Sequence, residues 1–188
     1  AVGFGADMLG FNFYERSRRF VAPGAVRNII QKIDRSEVKM VGVFVNENLD
    51  RLIEISMAAQ IDMIQLHGDE SPEYVKQAYT CSGLPVIKAF RIERDFAEDE
   101  IRIFGPEMIL LDTFSSSDFG GTGKTFDWNT AKRVATQFPR MFLSGGLSHE
   151  NVVDAIEIVR PWAVDACSRL ETNPGKKHPM KLESFILA

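Results

Sequence analysis

The sequence is poor in several features that would assign a protein to a special class. It has only 2 cysteines and 3 histidines among 188 residues. Cys81 and Cys167 lie far apart and form neither a CxxC pair nor a disulfide framework, which favours a reducing compartment. No apolar run approaches the roughly 20 residues that span a bilayer, and residues 1–13 lack the basic leader of a signal peptide. These absences predict a cytoplasmic protein without a membrane segment.

Positive charge and metal ligands are also scarce. The formal net charge is −4, and no basic stripe with interleaved aromatic residues occurs, so nucleic acid is not an expected partner. His149 and His178 have no companions at metal-ligand spacing, and we interpret both as surface residues. With 45% apolar and 26% charged residues, the chain has the composition of one globular domain over 1–188 with a sizeable core.

Apolar runs and helical periodicity alternate along the chain. Runs rich in β-branched and large apolar residues predict seven strands: Met8–Phe13, Lys39–Val45, Asp62–His67, Pro85–Phe90, Met108–Thr113, Met141–Ser144 and Ala163–Ala166. Amphipathic stretches between most of them predict helices, which begin at signals such as Asn48, Ser71 and Ser148-His149-Glu150. Their expected core-facing positions include Val26, Ile29, Ile30 and Ile33 in one helix and Leu52, Ile53, Ile55 and Met57 in the next.

The strand-then-helix order indicates an α/β fold with parallel strands. An open doubly wound sheet and a closed (βα)8 TIM barrel compete, and only the barrel explains why polar residues recur at the ends of so many strands. A barrel has eight strands, whereas the sequence predicts seven. Losing one strand would forfeit about 6–12 kcal/mol of apolar burial, which rivals the stability of a domain. We therefore expect the 188 residues to be N-terminally incomplete.

Small residues end the last two predicted strands. Ser144-Gly145-Gly146 and Ala166-Cys167-Ser168 follow short apolar runs, and loops after the last strands of such folds supply backbone N–H groups to phosphates. A phosphate on the ligand is therefore expected. Gly120–Thr125 ends like a P-loop, but Asp118 stands where that motif needs glycine, and a dinucleotide fingerprint fails as well. We interpret this glycine-rich segment as a loop over the barrel mouth that is tied down by Phe126, Asp127 and Trp128.

Charged and polar residues at the other strand ends suggest acid–base chemistry. Asp112 ends an apolar strand beside the flexible loop, where desolvation would raise the pKa of its carboxyl group and suit it to act as a general acid. Gln65 and His67 alternate around Leu66, so their side chains point to the same side. In the run Glu15–Arg19, one arginine at the mouth is positioned to bind an anion. Capping and solvated surface roles are the plainer alternatives for all of these residues.

Seven segments of the chain together resemble the phosphoribosylanthranilate isomerase family. They occur in that family's order and cover nearly the whole sequence: Gly5–Tyr14, Ser17–Phe20, Val41–Asn46, Ile64–Gly68, Leu110–Thr113, Gly120–Trp128 and Leu143–Leu147. The resemblance implies a (βα)8 barrel and an Amadori rearrangement of N-(5-phosphoribosyl)anthranilate in tryptophan biosynthesis, without metal or organic cofactor. It implies a small-molecule substrate and a monomer or homodimer.

The same resemblance implies roles for individual residues. Asp112 matches the family's general acid, which protonates the furanose oxygen so that the ring opens to a Schiff base. By position, Arg19, Gln65, His67 and Asp165 are implied to bind or position the substrate. The backbones of Gly145, Gly146 and Ser168 are implied to bind its phosphate.

Two departures from the family pattern stand out. The family's base is a cysteine in a Lys-x-Cys-Gly segment on its first strand, and the 188 residues contain no such segment. Neither Cys81 nor Cys167 matches its position, so we expect the chain as it stands not to complete proton abstraction. Arg169 replaces a family glycine after Ser168. Two other readings remain open: a neighbouring sugar-phosphate barrel, such as the histidine-pathway isomerase or indole-glycerol phosphate synthase, and a phosphate-binding fragment without catalysis.

Overall fold

Seven parallel strands form a single curled sheet in this protein, and each pairs with its neighbours in chain order. The computed structural model describes residues 1–92, 98–105, 107–112 and 128–188. The strands are β1 (Met8–Asn12), β2 (Lys39–Phe44), β3 (Met63–Leu66), β4 (Val86–Arg91), β5 (Met108–Asp112), β6 (Met141–Ser144) and β7 (Ala163–Val164). A doubly wound sheet reverses its strand order in the middle, so the sequential order identifies the barrel type of α/β fold. All seven predicted strands are confirmed.

Helices cover the outer face of this sheet. They are α1 (Pro23–Ile30), α2 (Leu49–Ala59), α3 (Pro72–Ser82), α4 (Glu98–Phe104), α5 (Trp128–Gln137), α6 (Val152–Val159) and α7 (Pro179–Ile186). Neighbouring helices pack side by side, and a hairpin of β8 (Glu171–Asn173) and β9 (Lys176–Lys177) precedes the last of them. In the parts of the chain that the structure describes, no helix has both the length and the apolar composition to cross a bilayer.

Side chains on one face of the sheet fill the interior of the curl. The buried cluster there comes from alternate positions of successive strands: Val41, Met63, Ile87, Ala89, Met108, Leu110 and Phe142. Residues two apart on a strand share a face, so this cluster fixes which later residues point inward. Two larger clusters, containing for example Leu52 and Leu143, lie between the strands and the helices.

The predicted helix starts are largely confirmed. The Asn48 side chain accepts hydrogen bonds from the backbone N–H groups of Asp50 and Arg51, and the Ser71 hydroxyl accepts one from Tyr74. Helix α6 begins later than predicted, at Val152. The Val152 N–H donates to the Ser148 carbonyl at 3.0 Å, so Ser148-His149-Glu150 forms a turn ahead of the helix instead of its first residues.

Two predicted core positions are wrong. Ile29 is 44% exposed and Met57 is 75% exposed. A helix packs along a stripe of residues three and four apart, and in α2 that stripe runs through Leu52, Ile55 and Ala59. Met57 lies off this stripe, as Ile29 lies off the stripe that buries Val26 and Ile30 in α1.

At its amino-terminal end the chain forms a short 3₁₀ turn, Val2–Phe4, which ends at Gly5 with a left-handed φ of 101°. The turn leads directly into β1. Strands β1 and β7 each pair with one neighbour among the described residues. The expectation of an eighth strand stays a prediction.

Candidate active site

Polar side chains replace apolar ones at the carboxyl ends of four strands. Gln65, Asp112 and Ser144 each come two residues after a member of the interior cluster, namely Met63, Leu110 and Phe142. Asp165 comes two residues after Ala163, which packs against that cluster. Period-two alternation therefore turns all four side chains toward the inside of the curl. Asp112 and Ser144 are register partners on β5 and β6, so the predicted acid and the Gly145-Gly146 turn lie on the same rim. Loops on this rim carry the active sites of barrel enzymes.

Three of the predicted residues form one hydrogen-bonded chain. The Gln65 Nε2 atom lies 3.0 Å from His67 Nδ1, and His67 Nε2 lies 3.0 Å from Asp112 Oδ2. An amide nitrogen donates, so this arrangement assigns the proton of a neutral His67 to Nε2, which then donates to Asp112 Oδ2. The side chains of His67 and Asp112 are each 20% exposed. The predicted same-side placement of Gln65 and His67 is confirmed.

A second pair lies on the neighbouring strands. The Ser144 hydroxyl donates to Asp165 Oδ2 at 3.2 Å, and the Asp165 backbone N–H donates to the Leu143 carbonyl. Burial raises the pKa of Asp165, and the negative charge of Asp112 adds to this rise. The Ser144 hydrogen bond acts in the opposite direction. The two carboxyl groups therefore influence each other electrostatically across the rim.

The predicted phosphate-binding loops follow adjacent strands. Gly145 and Gly146 come directly after β6 and have φ angles of 97° and 67°, a left-handed conformation that favours glycine. Ser168 is exposed and begins the 3₁₀ turn Ser168–Leu170 after β7. Arg169 is exposed and lies inside that turn, and its φ is not positive, so the backbone at this position does not require glycine.

Arg19 belongs to a separate group around Glu171. Its Nε and Nη2 atoms donate to both carboxylate oxygens of Glu171 at 2.7–3.0 Å. The Gly175 N–H and Lys177 Nζ also approach Glu171 Oε1, at 3.2 and 3.4 Å. Burial by itself would raise the pKa of Glu171, but these hydrogen bonds and charges lower it to about 2. The Arg19 side chain is 32% exposed, so part of the guanidinium faces solvent at the mouth.

Sequence reasoning missed two buried charges beside this site. Lys88 on β4 and Glu70 in the β3–α3 loop are 3% and 6% exposed, and Lys88 Nζ lies 2.7 Å from Glu70 Oε2. The sequence does carry a signal for a buried charge here, which is the lysine within the apolar run Val86–Phe90. A cavity of about 260 Å³ reaches from His67 past Lys88 toward Arg91 and Phe104.

The two cysteines lie outside the chain of acid and imidazole groups. Cys81 is exposed near the end of α3. Cys167 is exposed in the loop after β7, where Lys177 Nζ approaches its sulfur at 3.4 Å. Partial desolvation raises the pKa of the Cys167 thiol despite that lysine, which disfavours the thiolate. This agrees with the interpretation of Cys167 as a loop residue.

The described residues contain no cluster of three or more His, Cys, Asp or Glu side chains placed to hold a metal ion. His149 is exposed as predicted. His178 is half-buried and caps α7, since its side chain accepts a hydrogen bond from the Lys181 N–H. The Gly120–Thr125 segment, Phe126 and Asp127 lie outside the described residues, and Trp128 begins α5.

Comparison with known proteins agrees with this geometry. A family model described as N-(5'phosphoribosyl)anthranilate (PRA) isomerase matches residues 1–188. The N-(5'-phosphoribosyl)anthranilate isomerase of Trichlorobacter lovleyi is 40% identical over 186 residues, which cover 99% of this chain and 88% of the relative.

Solved structures give the same result. Phosphoribosyl anthranilate isomerase from Thermotoga maritima superposes with a TM-score of 0.86 at 38% identity, covering 98% of this chain and 88% of that one. A phosphoribosyl anthranilate isomerase in complex with reduced 1-(o-carboxyphenylamino)-1-deoxyribulose 5-phosphate gives a TM-score of 0.83 at 36% identity, with the same coverage. The family match over 1–188 and these identities lead to one conclusion: the chain belongs to the N-(5'-phosphoribosyl)anthranilate isomerase family.

Proposed function

We propose that this protein rearranges N-(5'-phosphoribosyl)anthranilate to 1-(2-carboxyphenylamino)-1-deoxyribulose 5-phosphate, with Asp112 as the general acid and without a cofactor. The observation that carries this proposal is the contact between His67 Nε2 and Asp112 Oδ2 at 3.0 Å, on the rim that also holds Gly145 and Gly146. An acid and an anion-binding turn on one rim match the two ends of a phosphorylated sugar.

The acid step follows from the position of Asp112. Its protonated carboxyl group gives a proton to the furanose ring oxygen, the bond from that oxygen to C1 breaks, and the nitrogen lone pair forms the Schiff base. The resulting Asp112 carboxylate then accepts the Nε2–H of His67, which stabilises the charge that has developed on it. Gln65 holds the imidazole in the tautomer that this requires.

Anionic parts of the substrate have two candidate binding places. The backbone N–H groups of Gly145, Gly146 and Ser168 would bind the phosphate. Arg19 uses its Nε and Nη2 edge for Glu171, and its remaining donors, on a half-buried side chain at the mouth, suit a carboxylate. Asp165, with its raised pKa, would position the sugar through a hydroxyl contact.

The proton on C2 of the sugar needs a base, which the family resemblance assigns to a cysteine in a Lys-x-Cys-Gly segment. We assign this role to neither Cys81 nor Cys167. The first lies at the end of a covering helix, and partial desolvation raises the pKa of the second. Both are free thiols, which supports the prediction of a cytoplasmic location.

The test replaces Asp112 by asparagine in the full-length protein. Asparagine keeps the shape and an acceptor for His67 but has no acidic proton, so we expect kcat to fall about 10²–10⁴-fold. Binding of the reduced product analogue, measured by calorimetry, should change little. The matched control is Asp154→Asn, an exposed residue of α6, which should leave both values unchanged. A near-normal kcat for Asp112→Asn would contradict the acid assignment.

A further inference from the structure

One ion pair of the described residues is buried at both ends. The side chains of Lys88 and Glu70 are 3% and 2% exposed, whereas every other ion pair found there has at least one partner with 20% or more of its side chain exposed. Taking two charges out of water costs several kcal/mol per ion, and replacing such pairs by neutral groups is often neutral or stabilising. Fold stability alone is therefore a poor reason for this pair.

The pair holds the backbone immediately after His67. Lys88 Nζ donates to the Gly68 carbonyl at 2.7 Å, and both oxygens of Glu70 accept the Gly68 N–H at 3.0–3.1 Å. Glu70 Oε1 also accepts the Asn46 N–H at 2.9 Å. The N–H of His67 itself donates to the Phe44 carbonyl. The backbone on both sides of the imidazole-bearing residue is thus fixed, to β2 on one side and to the ion pair on the other.

The space around Gly68 is too tight for a side chain. A Cβ atom placed there would overlap Asn46 Oδ1 and come within 2.7 Å of the Asn46 backbone nitrogen. Lys88 approaches from β4, the strand between the one that leads to His67 and the one that carries Asp112. Its ammonium group is also 5.9–6.0 Å from the ring centres of Phe90 and Phe104, which hold it from the helix side.

We propose that Lys88 and Glu70 are positioning residues, which hold the turn after β3 so that the imidazole of His67 meets the carboxyl group of Asp112. Neither touches the reacting atoms. Their effect passes through Gly68 to His67, and the kinetic part of this inference rests on the proposed function.

The test is the double variant Lys88→Met with Glu70→Gln, which removes both charges at similar volume. Its matched control is Arg51→Met with Glu54→Gln, which likewise removes both charges of an ion pair, here an exposed pair of α2. We expect both proteins to fold, by circular dichroism. The buried double variant should lose kcat by up to about 100-fold with little change in KM, because a small misplacement of a catalytic group has effects of that size. The control should keep wild-type values.

Nitrogen-15 NMR of the imidazoles gives a readout independent of turnover. The protein has three histidines, so the exposed His149 and the cap residue His178 serve as internal references. In the buried double variant, the His67 Nε2–H signal should shift and exchange faster with water, while the other two stay in place. An unchanged His67 signal together with unchanged kcat would overturn the proposal.

Failure of the proposed function and failure of the positioning role give different experimental results. Absence of turnover in the full-length wild-type protein would overturn the proposed function, whereas the His67 signal would still test the positioning role. If the double variant does not fold, Glu70→Asp alone is examined in the same way, because it keeps the charge that pairs with Lys88 but shortens the reach of the carboxylate to the Gly68 N–H. Failure of that variant to fold would show a purely structural ion pair and overturn the proposal.

Discussion

Glu70 and Glu171 are two buried carboxylates at the same end of the barrel, and their cationic partners differ in exposure. Both accept hydrogen bonds from a cationic side chain and from a glycine N–H. The cation at Glu70 is sealed, since Lys88 is 3% exposed, whereas Arg19 at Glu171 is 32% exposed. The buried ammonium group of Lys88 makes its hydrogen bonds within the protein. The partly exposed side chain of Arg19 keeps hydrogen-bond donors at the surface, where a ligand can reach them.

The two ion pairs therefore have different expected roles at the rim. The sealed pair, Lys88 with Glu70, adjoins His67 and Asp112, where a fixed geometry favours proton transfer. The open pair, Arg19 with Glu171, joins the β1–α1 loop to β8 in the hairpin that follows β7, where an anion would approach. Asp165 provides a third case. Its side-chain hydrogen bond comes from a hydroxyl rather than a cation, and its pKa is raised, whereas the pKa of Glu171 is lowered.

Replacing Gly68 by alanine would disturb the turn that the Lys88–Glu70 pair holds. The added Cβ would meet the backbone nitrogen of Asn46 at 2.7 Å and force the turn to move. We expect unfolding in urea to show a loss of about 1–3 kcal/mol, together with reduced kcat. Gly24→Ala is the control, because a Cβ there meets no atom within 4 Å and the site lies in α1. The control should stabilise by up to about 1 kcal/mol; equal effects at both positions would contradict the crowding argument.

Replacing Arg19 by glutamine would remove the ion pair between Arg19 and Glu171. Glu171 would keep Lys177 and the Gly175 N–H, and Arg19 is partly screened by solvent, so we expect a loss of about 1 kcal/mol. Glu171 has an ordinary pKa of 4.5 and a folded pKa of about 2. Its stabilising contribution is therefore complete above pH 4.5 and declines as the pH falls toward 2.

The difference in unfolding free energy between Arg19→Gln and wild type should accordingly shrink between pH 4.5 and pH 2, as measured by urea denaturation. Arg140→Gln serves as control, because its ion pair with Glu107 is exposed at both ends. The control should show a small effect with little pH dependence over this range. A constant deficit for Arg19→Gln at all pH values would argue against its charge interaction with Glu171.

Asp165→Asn has the smallest expected effect, and it is in the opposite direction: a gain in stability. The folded pKa of Asp165 lies above its ordinary value of 3.8, so its ionised form is disfavoured in the fold and this cost is complete above the folded pKa. Asparagine keeps the Ser144 hydrogen bond without the charge. We expect the melting temperature at pH 7 to rise by roughly 2 °C and the gain to disappear below pH 3.8. A lower melting temperature at pH 7 would contradict it.

Sequence reasoning succeeded where the signal is local. The strands at Lys39–Phe44 and Met108–Asp112 were predictable because apolar, β-branched runs end at polar residues. Asp112 was predictable as a site residue for the same reason, and the alternation around Leu66 correctly paired Gln65 with His67. The exposure of Met57 was not, because apolar residues on adjacent helix positions do not reveal which one faces the sheet.

What the sequence by itself determined is the order of strands and helices and the polar residues that end the strands, since both depend on neighbouring residues. Only the tertiary structure decided that Arg19 pairs with Glu171, 152 positions away, and that Lys88 meets Glu70 beneath His67. Such pairs form because parallel strands in sequential order bring their following loops to one rim. Their partners are set by strand register and the curl of the sheet, which no short stretch of residues encodes.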